Sequence, residues 1–204
     1  MENESILIDI SSVLGLIATV VLTINMLLGI LLSSFLNSPF LKQKQFKKLT
    51  PNTINNIHNY TAYIALLFVF AHVILIPLGN SSNFTYKDLI FPLNAPHQPT
   101  IVLFGFLAFL ALITVIISTQ KLVKRALGYS LWKWIHMISY GTCLLFIIHG
   151  LLMDPELKDR PTDWIDGEKL LVELCVIVLL IATYFRYKHY IYEHKKNNAS
   201  PYEK

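Results

Sequence analysis

Residues 56–75 read NIHNYTAYIALLFVFAHVIL, and residues 134–150 read WIHMISYGTCLLFIIHG. Neither stretch holds an Asp, Glu, Lys or Arg. Each carries a histidine near both of its ends: His58 and His72 in the first, His136 and His149 in the second. About 20 apolar residues are what an α-helix needs to cross roughly 30 Å of hydrocarbon. The two stretches therefore predict membrane-spanning helices. Their four histidines are candidate functional residues, because ionisable side chains inside a membrane are rare and costly.

The rest of the chain has the same character. Of its 204 residues, 54% are hydrophobic and 15% charged, against about 25% charged in a soluble domain. Mean hydropathy is +0.51. These values exclude a disordered chain and argue against a soluble one. Runs free of charge, or nearly so, cover residues 10–41, 49–86, 89–120, 134–153 and, broken only by Glu173, 170–185. The expectation is an all-α integral membrane protein, a five-helix transmembrane bundle. Its helices are A at 11–35, B at 54–78, C at 99–120, D at 130–153 and E at 169–191. The alternating segments of about 10 residues that mark a barrel do not occur. The acidic start MENESILID and the length of the first run read as a span, not a cleaved signal peptide.

The loops predict the orientation. Lys42, Lys44, Lys47 and Lys48 follow helix A. Lys121, Lys124, Arg125 and Lys133 lie between C and D, and Arg186, Lys188, Lys195, Lys196 and Lys204 follow E. These are 13 of the 17 basic residues, all on one side; Lys87, Lys158, Arg160 and Lys169 are on the other. The positive-inside rule then places the N-terminus outside and the C-terminus inside, in a multi-pass protein of the cell membrane. It also accounts for the net charge of +4 with lipid, not nucleic acid, as the partner. Residues 1–192 are expected to form one domain and residues 193–204 a disordered cytoplasmic tail. The B–C and D–E loops are long enough to fold over the outer face. Cys143 and Cys175 lie in apolar runs and form neither a disulfide framework nor a zinc-type spacing.

Helices B and D are separated by one crossing, so they run in the same direction. His58 and His136 then share an inner level, and His72 and His149 an outer one. The pairs are 14 and 13 residues apart, roughly 19–21 Å of helical rise. One imidazole from each of two facing helices suits a six-coordinate haem iron, and two levels suit two b-type haems stacked across the bilayer. On helix B, 14 residues leave a mismatch of about 40°, so both histidines share a face. Ala62, Ala65 and Val69 lie between them on that face and either make room for a macrocycle or allow close helix packing. On helix D, 13 residues leave the histidines about 140° apart. A bend is expected there, at Gly141-Thr142-Cys143.

Other residues have two readings at this stage. Lys124, Arg125 and Lys133 are topology signals or partners of haem propionates. Trp132 and Trp134 read as interfacial anchors. Tyr140 contacts a porphyrin or packs, and His97 is a solvated loop residue or a site for an outer acceptor.

Further elements resemble the ferric reductase-like transmembrane domain family, which includes ferric-chelate reductases, the membrane part of NADPH oxidases and the haem-binding subunit of bacterial periplasmic methionine sulfoxide reductase. They are Thr114 with Ser118-Thr119, Leu127-Gly128, Trp132 four residues before His136, His149-Gly150, and the segment DLIFPL at 88–93. The resemblance covers residues 50–190. It implies two haem b groups held by His58, His72, His136 and His149 as axial ligands of the iron. Two departures stand out: five helices where members commonly have six, and no Gly-x-Gly-x-x-Gly for a nicotinamide domain.

The expected function is a transmembrane di-haem cytochrome b, a component of an oxidoreductase with no catalytic residue of its own. It would pass electrons between a separate donor, a flavin reductase or a quinol, and an extracytoplasmic acceptor. The alternatives are a histidine-based transporter and a haem-free membrane anchor subunit. Apart from Glu173 near an end of helix E, no membrane Asp, Glu or Lys accompanies the histidines, and no proline-broken helix supports the transporter.

Overall fold

The computed structural model describes residues 2–34, 50–79, 83–154, 156–157 and 163–199. Six α-helices follow one another: α1 Glu2–Ser34, α2 Pro51–Leu75, the short α3 Tyr86–Ile90, α4 Pro99–Thr119, α5 Lys121–Leu152 and α6 Gly167–Ala199. Five of them are long and apolar enough to cross a membrane, over Ile6–Ser34, Pro51–Leu78, Pro99–Thr119, Lys121–Leu152 and Gly167–Tyr192. The all-helical, multi-pass architecture read from the hydropathy is thus present. The loop with Lys42, Lys44, Lys47 and Lys48 lies outside the described residues.

Three boundaries differ from expectation. α1 starts at Glu2 and not near 11. The basic segment before helix D is itself helical, so α5 starts at Lys121 and not near 130. Its Lys, Leu, Arg and Ala are good helix formers, and the charge pattern that suggested a loop says nothing of backbone conformation. The chain turns at Gly128, whose φ of 71° and ψ of 165° interrupt the helix. A side chain there would be strained. The last helix also runs on to Ala199, past Tyr192, where a disordered tail is expected; residues 200–204 lie outside the described residues.

α1 is the hub. It packs along α2 on one side and α6 on another and touches α5, while α4 packs along α5. The buried centre joins Ala18 and Leu22 of α1, Ala65 and Val69 of α2, and Leu112 and Ile116 of α4, with Phe109 and Phe146 against them. Small residues let helices approach closely where lipid gives no hydrophobic drive to associate. Ala65 and Ala108 have no exposed surface at all. The whole Ala62–Ala65–Val69 stripe therefore packs into this centre, and Val69 also lines a cavity beside it.

Polar side chains pin the ends of the bundle. Gln98, in the left-handed region at φ 43°, joins α4 to the end of α5. Its Nε2 donates to Leu152 O at 3.3 Å, and its Oε1 accepts from Asp154 N at 2.7 Å. Lys169, buried at the start of α6, donates through Nζ to Gly150 O and Met153 O. It satisfies carbonyls that the end of α5 would otherwise leave open. Ser12 of α1 donates to Glu168 Oε2 at 3.0 Å. In the α2–α4 connection, Asp88 accepts from Thr85 N at 2.7 Å and from Thr85 Oγ1 at 2.8 Å, which starts α3.

Candidate functional site

The four membrane histidines meet in two pairs, one member from α2 and one from α5 in each. The rings of His58 and His136 have centroids 6.2 Å apart and planes at 76°. Those of His72 and His149 are 6.4 Å apart at 74°. Both pairings are those that the parallel course of the two helices predicts. Phe84, Leu89 and Ile90 of the α2–α4 connection line a cavity beside His72 and His149, so this connection does fold over that end.

Three of the four rings are held by the same device. His72 Nδ1 meets Ser11 O at 2.7 Å, His58 Nδ1 meets Asn25 O at 3.0 Å, and His149 Nδ1 meets Ile101 O at 2.9 Å. A carbonyl only accepts, so Nδ1 carries the hydrogen and Nε2 keeps its lone pair. That is the tautomer of a histidine that binds metal through Nε2, with the other nitrogen donating to a backbone oxygen.

A glycine stands four residues after each of these carbonyls. In an α-helix the C=O of residue i bonds the N–H of residue i+4, so a side chain at i+4 would crowd the approach to that oxygen. A Cβ on Gly15 would sit 3.2 Å from His72 Nδ1, and one on Gly29 3.4 Å from His58 Cε1. A Cβ on Gly105 would sit 2.9 Å from both His149 Nδ1 and Cε1. Carbonyl and glycine together form a slot for the imidazole ring.

On α1 the slot is doubled and reciprocal. Ser11 Oγ donates to His72 O at 2.9 Å, and Asn25 Nδ2 donates to His58 O at 2.5 Å and to Thr61 Oγ1 at 2.8 Å. Ser11 and Asn25 are 14 residues apart, as are Gly15 and Gly29, and as are His58 and His72 on the antiparallel α2. Sequence reasoning missed Ser11, Gly15, Asn25, Gly29, Ile101 and Gly105. On α1 the signal was a polar residue four before a glycine, repeated at the histidine step; Ile101 gave none.

The fourth ring differs. His136 Nδ1 is buried with no hydrogen-bond partner among the described residues. Its ring lies on Trp132, one turn earlier, at 5.3 Å and 20°. Trp132 in turn carries the Lys124 ammonium 3.6 Å from its ring centroid. Trp132 is therefore part of the His136 surroundings and more than an interfacial anchor; Trp134 is exposed.

The bend expected at Gly141-Thr142-Cys143 does not appear as a break in the helix. Non-helical dihedrals within α5 are confined to Gly128. Thr142 Oγ1 donates to Ile138 O at 3.1 Å, a bond that curves a helix without breaking it. With α5 helical without interruption from Tyr129 to Leu152, His136 and His149 leave it from opposite flanks and still reach their partners on α2. Tyr140 faces α6, where its hydroxyl accepts from Arg186 Nη1. His97 packs near Phe84, at 6.3 Å between ring centroids. Thr114, Ser118 and Thr119 return their hydroxyls to backbone carbonyls of their own helix.

The cavity at the His72/His149 level has a volume of about 360 Å³, within the range of cofactor sites. Val69, Phe106, Phe109 and Phe146 form apolar walls, while Asp154, Glu168 and Lys169 mark its polar end. Among the described residues, no group of three or more His, Cys, Asp or Glu side chains is placed to hold a metal ion.

A family model matches residues 14–148; its description is ferric reductase like transmembrane component. The match takes in α1, which lies before the stretch that carries the resemblance in the sequence, and stops short of α6. No curated protein and no solved structure matches the chain.

Proposed function

From the premise that this chain belongs to the ferric reductase like transmembrane component family, we propose that it is a transmembrane b-type cytochrome holding two haems. His58 and His136 ligate one, His72 and His149 the other. The observation that carries this reading is the spacing of the rings. A metal–imidazole bond is about 2.0–2.1 Å and the donor nitrogen lies ~1.2 Å from its ring centroid, so two imidazoles on opposite sides of one metal place their centroids roughly 6.4 Å apart. The two pairs stand at 6.2 and 6.4 Å. Two ligands per level, with no third side chain, suit a metal whose other four donors come from a macrocycle.

Haem iron supplies one-electron chemistry between its ferric and ferrous states. The residues of this chain do the rest. The carbonyls of Ser11, Asn25 and Ile101 fix the ligating tautomer of three histidines. Gly15, Gly29 and Gly105 let those rings sit against neighbouring helices. Val69, Phe106, Phe109 and Phe146 keep water from the His72/His149 level. The polar end of that cavity is where carboxylate-bearing substituents are tolerated, since a charge among the phenylalanines would be unpaired.

The basic residues near Lys124, read by the positive-inside rule, support a cytoplasmic His58/His136 level and an outer His72/His149 level in the cell membrane. Electrons then cross between a separate donor, a flavin reductase or a quinol, and an extracytoplasmic acceptor.

The purified protein, expressed with ample haem, is expected to show two haem b per chain in its visible spectrum. A colourless protein would refute the reading. The angles of 76° and 74° between ring planes add a sharper expectation. With a haem iron held at each level, imidazoles at these angles would leave two of its d orbitals almost equal in energy. Both haems should therefore give the strongly anisotropic low-spin ferric signal in electron paramagnetic resonance. A rhombic signal typical of parallel imidazole planes contradicts the ring geometry at that level.

A further inference from the structure

The two histidine levels are not equivalent. At the His72/His149 level both Nδ1–H groups end on carbonyls, Ser11 O and Ile101 O. At the His58/His136 level only His58 does so, on Asn25 O. His136 Nδ1 has no partner among the described residues, and its ring is stacked on Trp132. Charge is distributed with the same asymmetry. Asp154, Glu168 and Lys169 line the cavity beside His72 and His149, a balance of one negative charge. Beside His136, the Lys124 ammonium sits over the Trp132 ring.

An imidazole whose N–H is bound to a carbonyl is the more basic ligand. A more basic ligand favours ferric iron, and so does a neighbouring negative charge. A ligand without that bond, near a cation, favours ferrous iron. Hydrogen bonding and charge therefore act in one direction.

Resting on the di-haem reading above, we propose that the His58/His136 level is the electron sink of the pair. The haem held there has the higher midpoint potential. Trp132 and Lys124 are positioning residues that set this difference through His136. A single electron added to the oxidised protein resides at that level, one iron ferrous and the other ferric, with no bond made or broken. With both acting together, the two reduction equilibria should differ by about tenfold, which is 59 mV for one electron.

Spectroelectrochemical titration of the full-length protein in detergent tests this. Wild type should show two midpoints. His149→Leu should keep a haem that titrates at the higher value, and His58→Leu one that titrates at the lower value; either variant suffices if the other does not fold. Lys124 is exposed, so Lys124→Gln should fold normally and lower only the higher midpoint. Glu168→Gln should raise only the lower one. Coincident midpoints overturn the proposal, as does a His149→Leu haem at the lower value or a Lys124→Gln shift confined to the lower midpoint. Haem-free wild-type protein defeats the di-haem reading itself, and the visible spectrum reveals that before any titration.

Discussion

Replacing His149 by leucine should leave the protein with one haem per chain, against the two that the proposed di-haem arrangement gives wild type. Leucine keeps the apolar character of the position, so the helix still inserts and packs. What disappears is the α5 side of one ligand pair. A lone axial imidazole cannot hold a b-type haem against detergent extraction as two can. Retention at that level should fall by at least the 10–100-fold seen when a supporting partner alone is lost. His72→Leu should produce the same spectrum from the opposite helix, because His72 and His149 face each other at 6.4 Å. The remaining haem should stay low-spin in both variants, and the double variant should be no worse than either single one. The measurement is the pyridine haemochrome ratio to protein, with circular dichroism as a check on helicity. Two haems retained in both variants would defeat the assignment.

The second large effect concerns a residue that is not one of the proposed ligands. Gly105→Ala should also empty or loosen the His72/His149 level. Its new Cβ would lie 2.9 Å from two atoms of the His149 ring. The ring is tied to Ile101 O on the same helix, so it must swing out of line with His72 or α4 and α5 must separate. Overpacking of this kind costs about 1–3 kcal/mol, enough to shift haem occupancy several-fold. The other two slots supply a graded control. Gly15→Ala brings a Cβ to 3.2 Å from His72, and Gly29→Ala only to 3.4 Å from His58. Haem content should therefore fall in the order Gly105, Gly15, Gly29, with the last close to wild type. A reversed order would mean that the glycines serve helix packing in general and not the histidine rings.

Much of this was legible in the sequence, for a physical reason. Lipid tolerates only apolar helices, so spans announce themselves, and histidine is conspicuous inside them. The direction of α2 and α5 then dictates which histidines share a level. The supporting shell was harder to see. Ser, Asn and Gly occur in membrane helices for several reasons, and the acceptor is a backbone carbonyl, which every residue possesses. Ile101 in particular carries no side-chain signal for its role. Trp132 was misjudged because tryptophan near a membrane surface usually marks the interface, whereas here it lies on the ring of His136. The start of α5 was misplaced because charge density stood in for backbone conformation, which Gly128 governs through its φ of 71°.

The matched 14-residue steps on α1 and α2 act as two rulers laid edge to edge. Each graduation of one helix is clasped to a graduation of the other, at Ser11 with His72 and at Asn25 with His58. Inserting or deleting a residue between the clasps on a single helix would break one of them, whichever helix carried the change. The distance between the two histidine levels is thus set by two helices at once, and only paired changes on both can lengthen or shorten it.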